Sequence, residues 1–413
     1  MVDNTSTQGS THQFDVVIVG GAMVGSVLAL GLALKANRLN KPLNIALVEA
    51  YEPTAEHPGF DARAIALSHG TIEAFKNLDI WDDIKHLGTD ISRIHISDRG
   101  HFGMTQLDAQ DFNLDAMGAV VELSPVGFKL HQKLQSSDVT MFCPAKVIDV
   151  TAEIDSKTLT LDNGEKLNAK LVVAADGANS IIRQSLNLSQ EFVNFEQTAI
   201  IANIELEQKH QHRAWERFTD TGPLALLPMS ELNGRDRLSL VWALTPEQAE
   251  EYLQLSDDAF IEKLQQAFGY RAGKLIAAGK RFSYPLIMTC MPRPIHHRTI
   301  FVGNAAQTLH PIAGQGFNLG LRDIMTVIDV VENGLKSEQD LGSTQITHTY
   351  LKQRQEDRGN TLNRVEFLVR GFSNNHWPLV CGRSLGLRLL SYLPFLKAPV
   401  GKKAMGFTTQ SHF

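Results

Sequence analysis

This sequence of 413 residues contains few cysteines and has no excess of positive charge. The three cysteines, Cys143, Cys290 and Cys381, lie far apart, so no pair has the spacing of a zinc knuckle or a redox motif. This pattern is typical of a reducing compartment. Acidic residues outnumber basic ones by 45 to 39, which gives a net charge of −6. Such a chain lacks the basic field that general nucleic-acid binding needs, so we expect no nucleic-acid partner.

A secretory signal and a membrane-spanning helix are not indicated either. Residues 1–13 form a polar, Ser/Thr-rich leader without Lys or Arg, so no signal-peptide n-region precedes the first apolar run. That run, 16–34, carries no charge and could cross a bilayer on length alone. Its glycines and its β-branched start favour a buried strand, a glycine turn and a buried helix. We therefore expect a cytoplasmic protein, with at most peripheral contact to a membrane.

The order of apolar segments predicts the fold class and the domains. A strand–helix–strand pattern over 14–49 is typical of a parallel, doubly wound α/β core. Two strand-rich segments with frequent turns interrupt this core and predict an antiparallel domain. Apolar periodicity predicts one helix over 71–87 and helices throughout the last part of the chain. The predicted division is a flexible leader, a discontinuous core domain, an inserted antiparallel domain and a C-terminal helical region: 1–13; 14–90, 118–190 and 286–335; 91–117 and 191–285; and 336–413.

The first functional motif lies at the turn after the first predicted strand, where residues 20–25 read GGAMVG. Backbone N–H groups of such a turn, together with the positive end of the following helix, can approach a pyrophosphate. Glu49 ends the next predicted strand, where its carboxylate can accept hydrogen bonds from ribose hydroxyls. Ala22 stands where this fingerprint usually has a glycine, and its methyl group narrows the phosphate approach without blocking it. Together these features predict a bound dinucleotide.

Two later motifs each begin where a buried strand is predicted to end. Residues 174–183 read AADGANSIIR, and residues 302–320 read VGNAAQTLHPIAGQGFNLG. Ligands of open α/β sheets bind at the carboxyl ends of the strands, so the three motifs are expected at one site. Taken alone, Asp176-Gly177 is also typical of a simple turn, and 311–320 of a helix cap.

The three motifs in this order resemble the group A flavoprotein aromatic hydroxylases, the para-hydroxybenzoate hydroxylase superfamily. Four shorter stretches resemble the ubiquinone-biosynthesis hydroxylases within it, and most of all those acting on 2-polyprenyl-6-methoxyphenol: 59–67, 97–101, 216–219 with 222–225, and 303–307. The resemblance implies a Rossmann-like FAD-binding domain, interrupted by an antiparallel-sheet substrate domain. It also implies non-covalent FAD, NADH or NADPH as electron donor, O₂ as co-substrate, and hydroxylation of a hydrophobic prenylphenol through a flavin 4a-hydroperoxide.

The same resemblance assigns the cofactor residues. Asn304 and Gln307 stand where most members have an aspartate and a histidine, and the helix opening near Gly316 would direct its positive end at the flavin pyrimidine. The expected FAD-binding residues are Gly20, Gly21, Ala22, Gly25, Glu49, Arg63, Asp176, Gly177, Asn304, Pro311, Gly314, Gln315, Gly316 and Asn318.

No side chain is assigned as a catalytic base, because the flavin carries the chemistry in such enzymes. The pocket candidates are Arg217, Pro223, Leu224 and His310. A surface salt bridge is an equal alternative for Arg217, and a loop-packing role is an equal alternative for His310. No metal is expected, because the histidines and carboxylates lack metal-ligand spacing.

The C-terminal region is the expected contact with a membrane surface or with a complex of ubiquinone-biosynthesis enzymes. From Phe367 to Phe413 there is no Asp or Glu, while Lys and Arg are interspersed with large apolar residues. This pattern suits an interfacial helix, and a packed helical cap is the alternative. Three other functions stay open at this stage: a sibling hydroxylase acting at another ring position, a flavin-dependent reductase of a prenylated lipid, and a non-catalytic flavoprotein in such a complex.

Overall fold

The computed structural model describes residues 10–52, 64–372 and 377–406. The helices in these ranges are α1 (Met23–Arg38), α2 (His69–Asn77), α3 (Trp81–Ile84), α4 (Leu123–Gln135), α5 (Ile181–Ser185), α6 (Pro246–Gln254), α7 (Asp257–Phe268), α8 (Gln315–Lys336), α9 (Thr344–Phe372), α10 (Trp377–Tyr392) and α11 (Pro394–Ala404). The strands are β1 (Thr11–Val19), β2 (Ile45–Val48), β3 (Ala64–Ser68), β4 (Gly88–Ile91), β5 (Arg93–Asp98), β6 (Met104–Asp108), β7 (Gly118–Glu122), β8 (Thr140–Phe142), β9 (Val147–Ala152), β10 (Lys157–Leu161), β11 (Lys166–Ala174), β12 (Glu191–Leu206), β13 (Arg213–Phe218), β14 (Pro223–Leu232), β15 (Arg235–Leu244), β16 (Leu275–Ala278), β17 (Phe282–Cys290), β18 (Ile295–His296), β19 (Thr299–Phe301) and β20 (Gln307–Thr308).

An eight-stranded sheet forms the core, in the order β18-β19-β11-β1-β2-β8, with β10 and β9 attached beside β11. β1 pairs in parallel with β2 and with β11, and β11 pairs in parallel with β19. The central strands are buried on both faces because helices cover one side and a second apolar cluster covers the other. The apolar run 16–34 is β1, a turn and α1, and the expected parallel α/β core is confirmed.

A nine-stranded sheet forms the inserted domain, in the order β20-β17-β12-β15-β14-β13-β5-β6, with β16 beside β12. The two insertions, 91–117 and 191–285, join through the parallel pairing of β5 with β13, while the other pairs around β12 to β15 are antiparallel. Helices α6 and α7 pack on one face of this sheet. β17 continues to Cys290, five residues past the predicted end of this domain. A three-stranded sheet, β3-β7-β4, lies between the two larger sheets.

Three further details of the secondary structure differ from the sequence-based predictions. The helix predicted over 71–87 is two helices, α2 and α3, because Asp79 adopts a left-handed backbone conformation with φ of 54° and ends the first. Helix α6, which begins at a Thr245 N-cap, was not predicted. β1 already begins at Thr11, inside the predicted leader 1–13, of which residues 1–9 lie outside the described residues.

The C-terminal region of the described chain is helical, as expected. Helix α9 packs against α8, and α10 contacts both α9 and β6. None of the helices within the described ranges combines the length and the apolar character that crossing a membrane requires.

Candidate active site

The carboxyl ends of the core strands bring the three sequence motifs to one edge of the sheet. Ala175 N donates to Val19 O at 2.8 Å, so the second motif continues beside the first. Val302 N donates to Ala174 O at 3.0 Å, which places the third motif beside the second. These bonds extend the parallel ladder past the strand ends, at the position where ligands of open α/β sheets bind.

The glycines of the first motif are required by close backbone contacts. Gly20 has φ of +103°, and a Cβ atom there would lie 2.5 Å from Ala175 O. A Cβ atom on Gly25 would lie 1.8 Å from Gly20 O. Helix α1 then starts behind Ala22 without a side-chain cap and without an acidic residue in its first turn. Its first N–H groups are therefore available to an anion such as a pyrophosphate.

Glu49 is buried at the carboxyl end of β2, beside the glycine turn. Its Oε2 accepts a hydrogen bond from Gly21 N at 2.5 Å, and its Oε1 accepts one from Tyr51 N at 3.0 Å. These two bonds fix the carboxylate. Each carboxylate oxygen can accept more than one hydrogen bond, so Glu49 keeps acceptor capacity for ribose hydroxyls.

Asp176 is the half-buried carboxylate of the second motif. Its Oδ2 accepts a hydrogen bond from Ile182 N at 3.2 Å, whereas its buried Oδ1 has no partner among the described residues. Burial raises the pKa of Asp176. A buried oxygen without a donor is costly, and hydroxyl groups of FAD would supply one. The neighbouring Gly177 has φ of +81°, and a Cβ atom there would meet nothing within 4 Å, which leaves space beside the carboxylate.

Arg183, the last residue of the second motif, connects this motif to the third by hydrogen bonds. It donates to Ala305 O at 3.1 Å in the third motif and to Ala178 O at 2.7 Å in its own. Ser180 accepts from Arg183 N at 3.1 Å and caps α5. The Ser-x-x-Arg ending of this motif therefore holds the second and third motifs together.

A buried polar network supports the third motif from behind, and sequence reasoning missed it. Asp323 in α8 is fully buried and accepts hydrogen bonds from Gly303 N at 3.2 Å, Gln307 Nε2 at 2.6 Å and Arg354 Nε at 2.8 Å. Arg358 donates to Gln307 Oε1 at 2.6 Å. An acid within an apolar helix and two arginines one turn apart were the available signal. Gln307 thus braces the turn, while Asn304 is exposed at its tip on the cofactor edge.

Helix α8 directs its N-terminus at the loop of the third motif. Its N-cap, Gly314, has φ of +60°, and the first turn has no side-chain cap and no acidic residue. Pro311, Gln315 and Gly316 are all half-buried around this helix start. The positive end of α8 is therefore placed to stabilise negative charge on a ligand bound there.

Asn318 is among the residues that the sequence predicts to bind FAD, but protein groups occupy its side chain. Its Oδ1 accepts from Ser68 N at 2.9 Å and Thr71 Oγ1 at 2.7 Å. Its Nδ2 donates to Ala66 O at 2.9 Å and Gly314 O at 2.8 Å. Asn318 consequently fastens the start of α8 to β3 and α2, and it positions the loop.

His310 also holds this loop. The ring is buried, its Nδ1 accepts from Ile312 N at 3.2 Å, and its Nε2 lies 3.1 Å from Gln197 Oε1. Because Nδ1 accepts, the proton is assigned to Nε2, which donates to Gln197. Burial lowers the pKa of His310 to about 4, so the ring is neutral at physiological pH. Of the two roles open for His310, a pocket residue or a residue that packs the loop, this geometry favours loop packing.

The other pocket candidates divide between the two faces of the nine-stranded sheet. Arg217 donates to Ala267 O at 3.2 Å in α7, and Leu224 packs in the same helix-covered core. The structure therefore does not bring these two to the cofactor side. Pro223 alternates with Leu224 and lies on the opposite face, where Phe218 packs in one cluster with Ile312 of the third motif.

A row of half-buried side chains crosses the sheet on this cofactor side. Strand register places its members directly opposite one another on adjacent strands β5, β13, β14, β15 and β12, and they are Ile96, Glu216, Ala225, Val241 and Ile201. Sequence reasoning missed this row because register between strands far apart in sequence cannot be read from alternation alone.

Arg63, expected near the FAD phosphates, lies outside the described residues, as does most of the stretch 59–67. Within the described ranges there is no group of three or more His, Cys, Asp or Glu side chains that could hold a metal ion.

Comparison with known proteins identifies the family. A family model described as an FAD binding domain matches residues 13–356. The ubiquinone hydroxylase UbiL of Rhodospirillum rubrum is 31% identical over 399 residues, which cover 95% of this chain and 89% of that protein. The 3-demethoxyubiquinol 3-hydroxylase of Escherichia coli is 30% identical, covering 95% of this chain and 98% of that protein.

Solved structures show the same fold. The crystal structure of p-nitrophenol 4-monooxygenase PnpA from Pseudomonas putida DLL-E4 superimposes with a TM-score of 0.75 over 96% of this chain and 98% of that one, at 16% identity. The uncapped helix starts, the buried carboxylate of Glu49 beside the glycine turn and the unpartnered Oδ1 of Asp176 fit FAD. With the family model spanning most of the chain, these observations show that the protein belongs to the FAD-dependent hydroxylases, which are flavoprotein monooxygenases.

Proposed function

We propose that the protein is a hydroxylase of ubiquinone biosynthesis. It uses FAD, NADH or NADPH, and O₂ to convert 2-polyprenyl-6-methoxyphenol to the 1,4-benzoquinol. Two relatives that are 31% and 30% identical over 95% of the chain, a ubiquinone hydroxylase and a 3-demethoxyubiquinol 3-hydroxylase, support the pathway. The four short stretches that together resemble ubiquinone-biosynthesis hydroxylases, most of all those acting on 2-polyprenyl-6-methoxyphenol, support the substrate.

The row Ile96, Glu216, Ala225, Val241 and Ile201 is the observation that carries this proposal. Four of its five members are apolar, and the row lies on the face that meets the third FAD motif. Five strands spaced by about 4.8 Å span roughly 19 Å, which is longer than a phenol ring and leaves room for part of an apolar tail. An apolar wall with few polar groups is what a prenylated ring requires.

Glu216 is the one polar side chain in this row. Each carboxylate oxygen can accept more than one hydrogen bond, so Glu216 can accept a short, charge-assisted one from a phenol hydroxyl. Such a bond would fix which ring carbon faces the flavin. Glu216 therefore acts as the group that orients the substrate ring.

The chain's own residues bind and orient the cofactor. Glu49 would hold the ribose, the first turn of α1 would hold the pyrophosphate, and the first turn of α8 would stabilise negative charge on the flavin ring. FAD, when bound, supplies the activation of O₂ and the transfer of the hydroxyl group. The loop fastened by His310 and Asn318 keeps these groups at fixed positions beside the substrate row.

Deletion of the protein in its host tests the substrate. We expect 2-polyprenyl-6-methoxyphenol to accumulate, as identified by mass spectrometry, and purified protein to consume NAD(P)H and O₂ when this compound is added. Accumulation of a later, methylated intermediate would instead assign a sibling hydroxylation. Oxidation of NAD(P)H with substrate turnover but without O₂ uptake would assign a reductase.

Substitution of Glu216 tests the site. Glu216→Gln keeps the size of the side chain and removes its charge, so we expect an about tenfold higher KM for the phenol with unchanged FAD content. The matched control is Glu207→Gln, an exposed carboxylate just after β12 in the same sheet. Equal KM values in the two variants would contradict the role of Glu216.

A further inference from the structure

Helix α10 exposes large apolar side chains on its outward face, whereas a helix that packs on a protein usually buries them. Its inward face carries Arg383, Ser384 and Leu387, all of which are buried. Its outward face carries Leu385, Leu389 and Tyr392, at the i, i+4, i+7 spacing of a single helical stripe, with exposures of 56%, 42% and 71%. A helical cap would bury these leucines, so the outward stripe needs another explanation.

Polar contacts from the inward face fix this orientation. Arg383 forms a buried ion pair with Asp98 of β5 at 2.8 Å. Ser391 donates to Met104 O at 2.7 Å, and a Cβ atom on Gly103 would lie 2.7 Å from Ser384 Cα. Because a buried charge cannot leave its partner cheaply, α10 cannot rotate to bury its leucines.

The turn between β5 and β6 and the start of α11 extend the stripe. Phe102 and Met104 are 58% and 39% exposed, and Arg388 donates to Phe102 O at 3.0 Å. Phe395 is 69% exposed. We call these six side chains the α10 surface: Phe102, Met104, Leu385, Leu389, Tyr392 and Phe395. Exposed large apolar side chains gathered in this way mark an interaction site.

The C-terminal segment that carries α10 and α11 has basic residues and no acidic ones. No Asp or Glu occurs from Phe367 to the end of the sequence, whereas Lys402 and Lys403 are exposed and have no ion pair among the described residues. Two acids that contact these helices are already paired, Asp98 with Arg383 and Asp111 with Lys397 at 2.7 Å. A second copy docking through the same patch would bring like charges together.

We propose that the α10 surface docks on an anionic phospholipid bilayer, which under the proposed function is the phase that holds the prenylated substrate. The apolar stripe enters the headgroup boundary, and Arg388, Lys402 and Lys403 meet lipid phosphates. Arg383 ties the docked helix to β5, the strand that contributes Ile96 to the substrate row. The lipid surface therefore lies next to the strand that contacts the substrate.

Flotation of the full-length, FAD-loaded protein with lipid vesicles tests the proposal. At low salt we expect the protein to float with vesicles of phosphatidylcholine and phosphatidylglycerol and to stay at the bottom with phosphatidylcholine alone. The variant Leu385→Gln/Leu389→Gln/Tyr392→Gln should bind about tenfold less, and so should Lys402→Gln/Lys403→Gln. The matched control is Ile154→Gln/Tyr270→Gln, two apolar side chains exposed elsewhere, which should bind like the unchanged protein.

Two results would overturn the proposal. One is equal flotation of the stripe variant and the control. The other is a stripe variant that changes only the oligomeric mass in light scattering, which would assign the surface to a second copy. Turnover of a water-soluble methoxyphenol without a prenyl tail separates this inference from the proposed function. Flotation without turnover would contradict only the hydroxylase proposal. Turnover without flotation would contradict only the membrane proposal.

Discussion

His310 contributes to stability only while it is neutral. Burial lowers the pKa of its imidazole from 6.5 to about 4 in the folded protein. The unfolded chain therefore binds a proton more readily than the folded one between these values. Stability from the neutral ring is fully present above pH 6.5 and is lost as the pH falls toward 4, by up to about 3 kcal/mol. Acid thus loosens the loop that His310 fastens.

His310→Gln should flatten this acid dependence. We expect lower stability at pH 7, because the bond to Ile312 N is lost, but a smaller decrease between pH 6.5 and 4. Urea unfolding at several pH values measures both effects. His297→Gln, at an exposed position, is the control. Some slope should remain, since burial also lowers the pKa of His95 to about 4. A variant slope equal to that of the control would contradict the prediction.

Lys157 is a second buried base, and its amine weakens the fold. Its side chain is fully buried, its Nζ has no hydrogen-bond partner among the described residues, and burial lowers its pKa to about 8. Between pH 8 and 10.5 the unfolded chain binds more protons, so stability rises with pH across this window. Lys157→Met should add roughly 1–3 kcal/mol to the free energy of unfolding at pH 7.

That gain should fade as the pH approaches 10.5, where the lysine is neutral in both states. Urea unfolding at pH 7 and pH 10 checks this. Lys166→Met, at an exposed position of the neighbouring strand, should change little at either pH. A gain that is equal at both pH values would assign the effect to packing and not to the charge.

Among the elements, those around the glycine motif could be predicted most fully. A charge-free run that contains a glycine turn fits few structures other than a buried strand, a turn and a buried helix. β1, α1 and β2 could therefore be predicted from the sequence. The break between α2 and α3 was missed, because the apolar periodicity of 71–87 runs through Asp79. Asp tolerates the left-handed conformation better than most residues, but this preference is too weak to locate a break by itself. Long-range pairs such as His310 with Gln197, 113 residues apart, leave no local signal. The motif residues were thus predictable, and their supports were not.

The support behind the third motif is testable through helices α8 and α9. Arg354→Met would leave the carboxylate of Asp323 buried without its cationic partner, and we expect a loss of about 3–5 kcal/mol in the free energy of unfolding. The double variant Asp323→Asn/Arg354→Met should lose less than the sum of the single variants, as measured in a double-mutant cycle by urea unfolding.

The control for α9 is Arg370→Met, which breaks an exposed pair with Glu366 and should cost less than about 1 kcal/mol. FAD affinity should also fall in Arg354→Met and not in Arg370→Met, because Asp323 holds Gly303 N at the cofactor edge. Equal losses of stability in the two single variants would show that the network does not bear on the fold.

For the whole molecule, the cofactor site gathers parts of the chain that lie far apart in sequence. Residues 20–25, 176–183 and 303–318 meet at one sheet edge, and α8 and α9 hold the last of these from behind. The nine-stranded sheet reaches the same loop through His310 and Gln197. A ligand that bridges these parts should therefore stabilise both large sheets together.

FAD should raise the unfolding temperature more than FMN does. At a hundredfold excess over its dissociation constant, a ligand adds about 2.7 kcal/mol to the free energy of unfolding. FMN lacks the adenosine half, so it leaves Glu49 and the first turn of α1 without their ligand groups. Glu49→Leu should weaken FAD by about 1–3 kcal/mol and leave FMN unchanged, whereas Glu52→Leu, an exposed neighbour, should affect neither. Thermal unfolding of apoprotein titrated with each flavin measures these effects. Equal increases of the unfolding temperature with FAD and FMN would contradict the role of Glu49 in binding a dinucleotide.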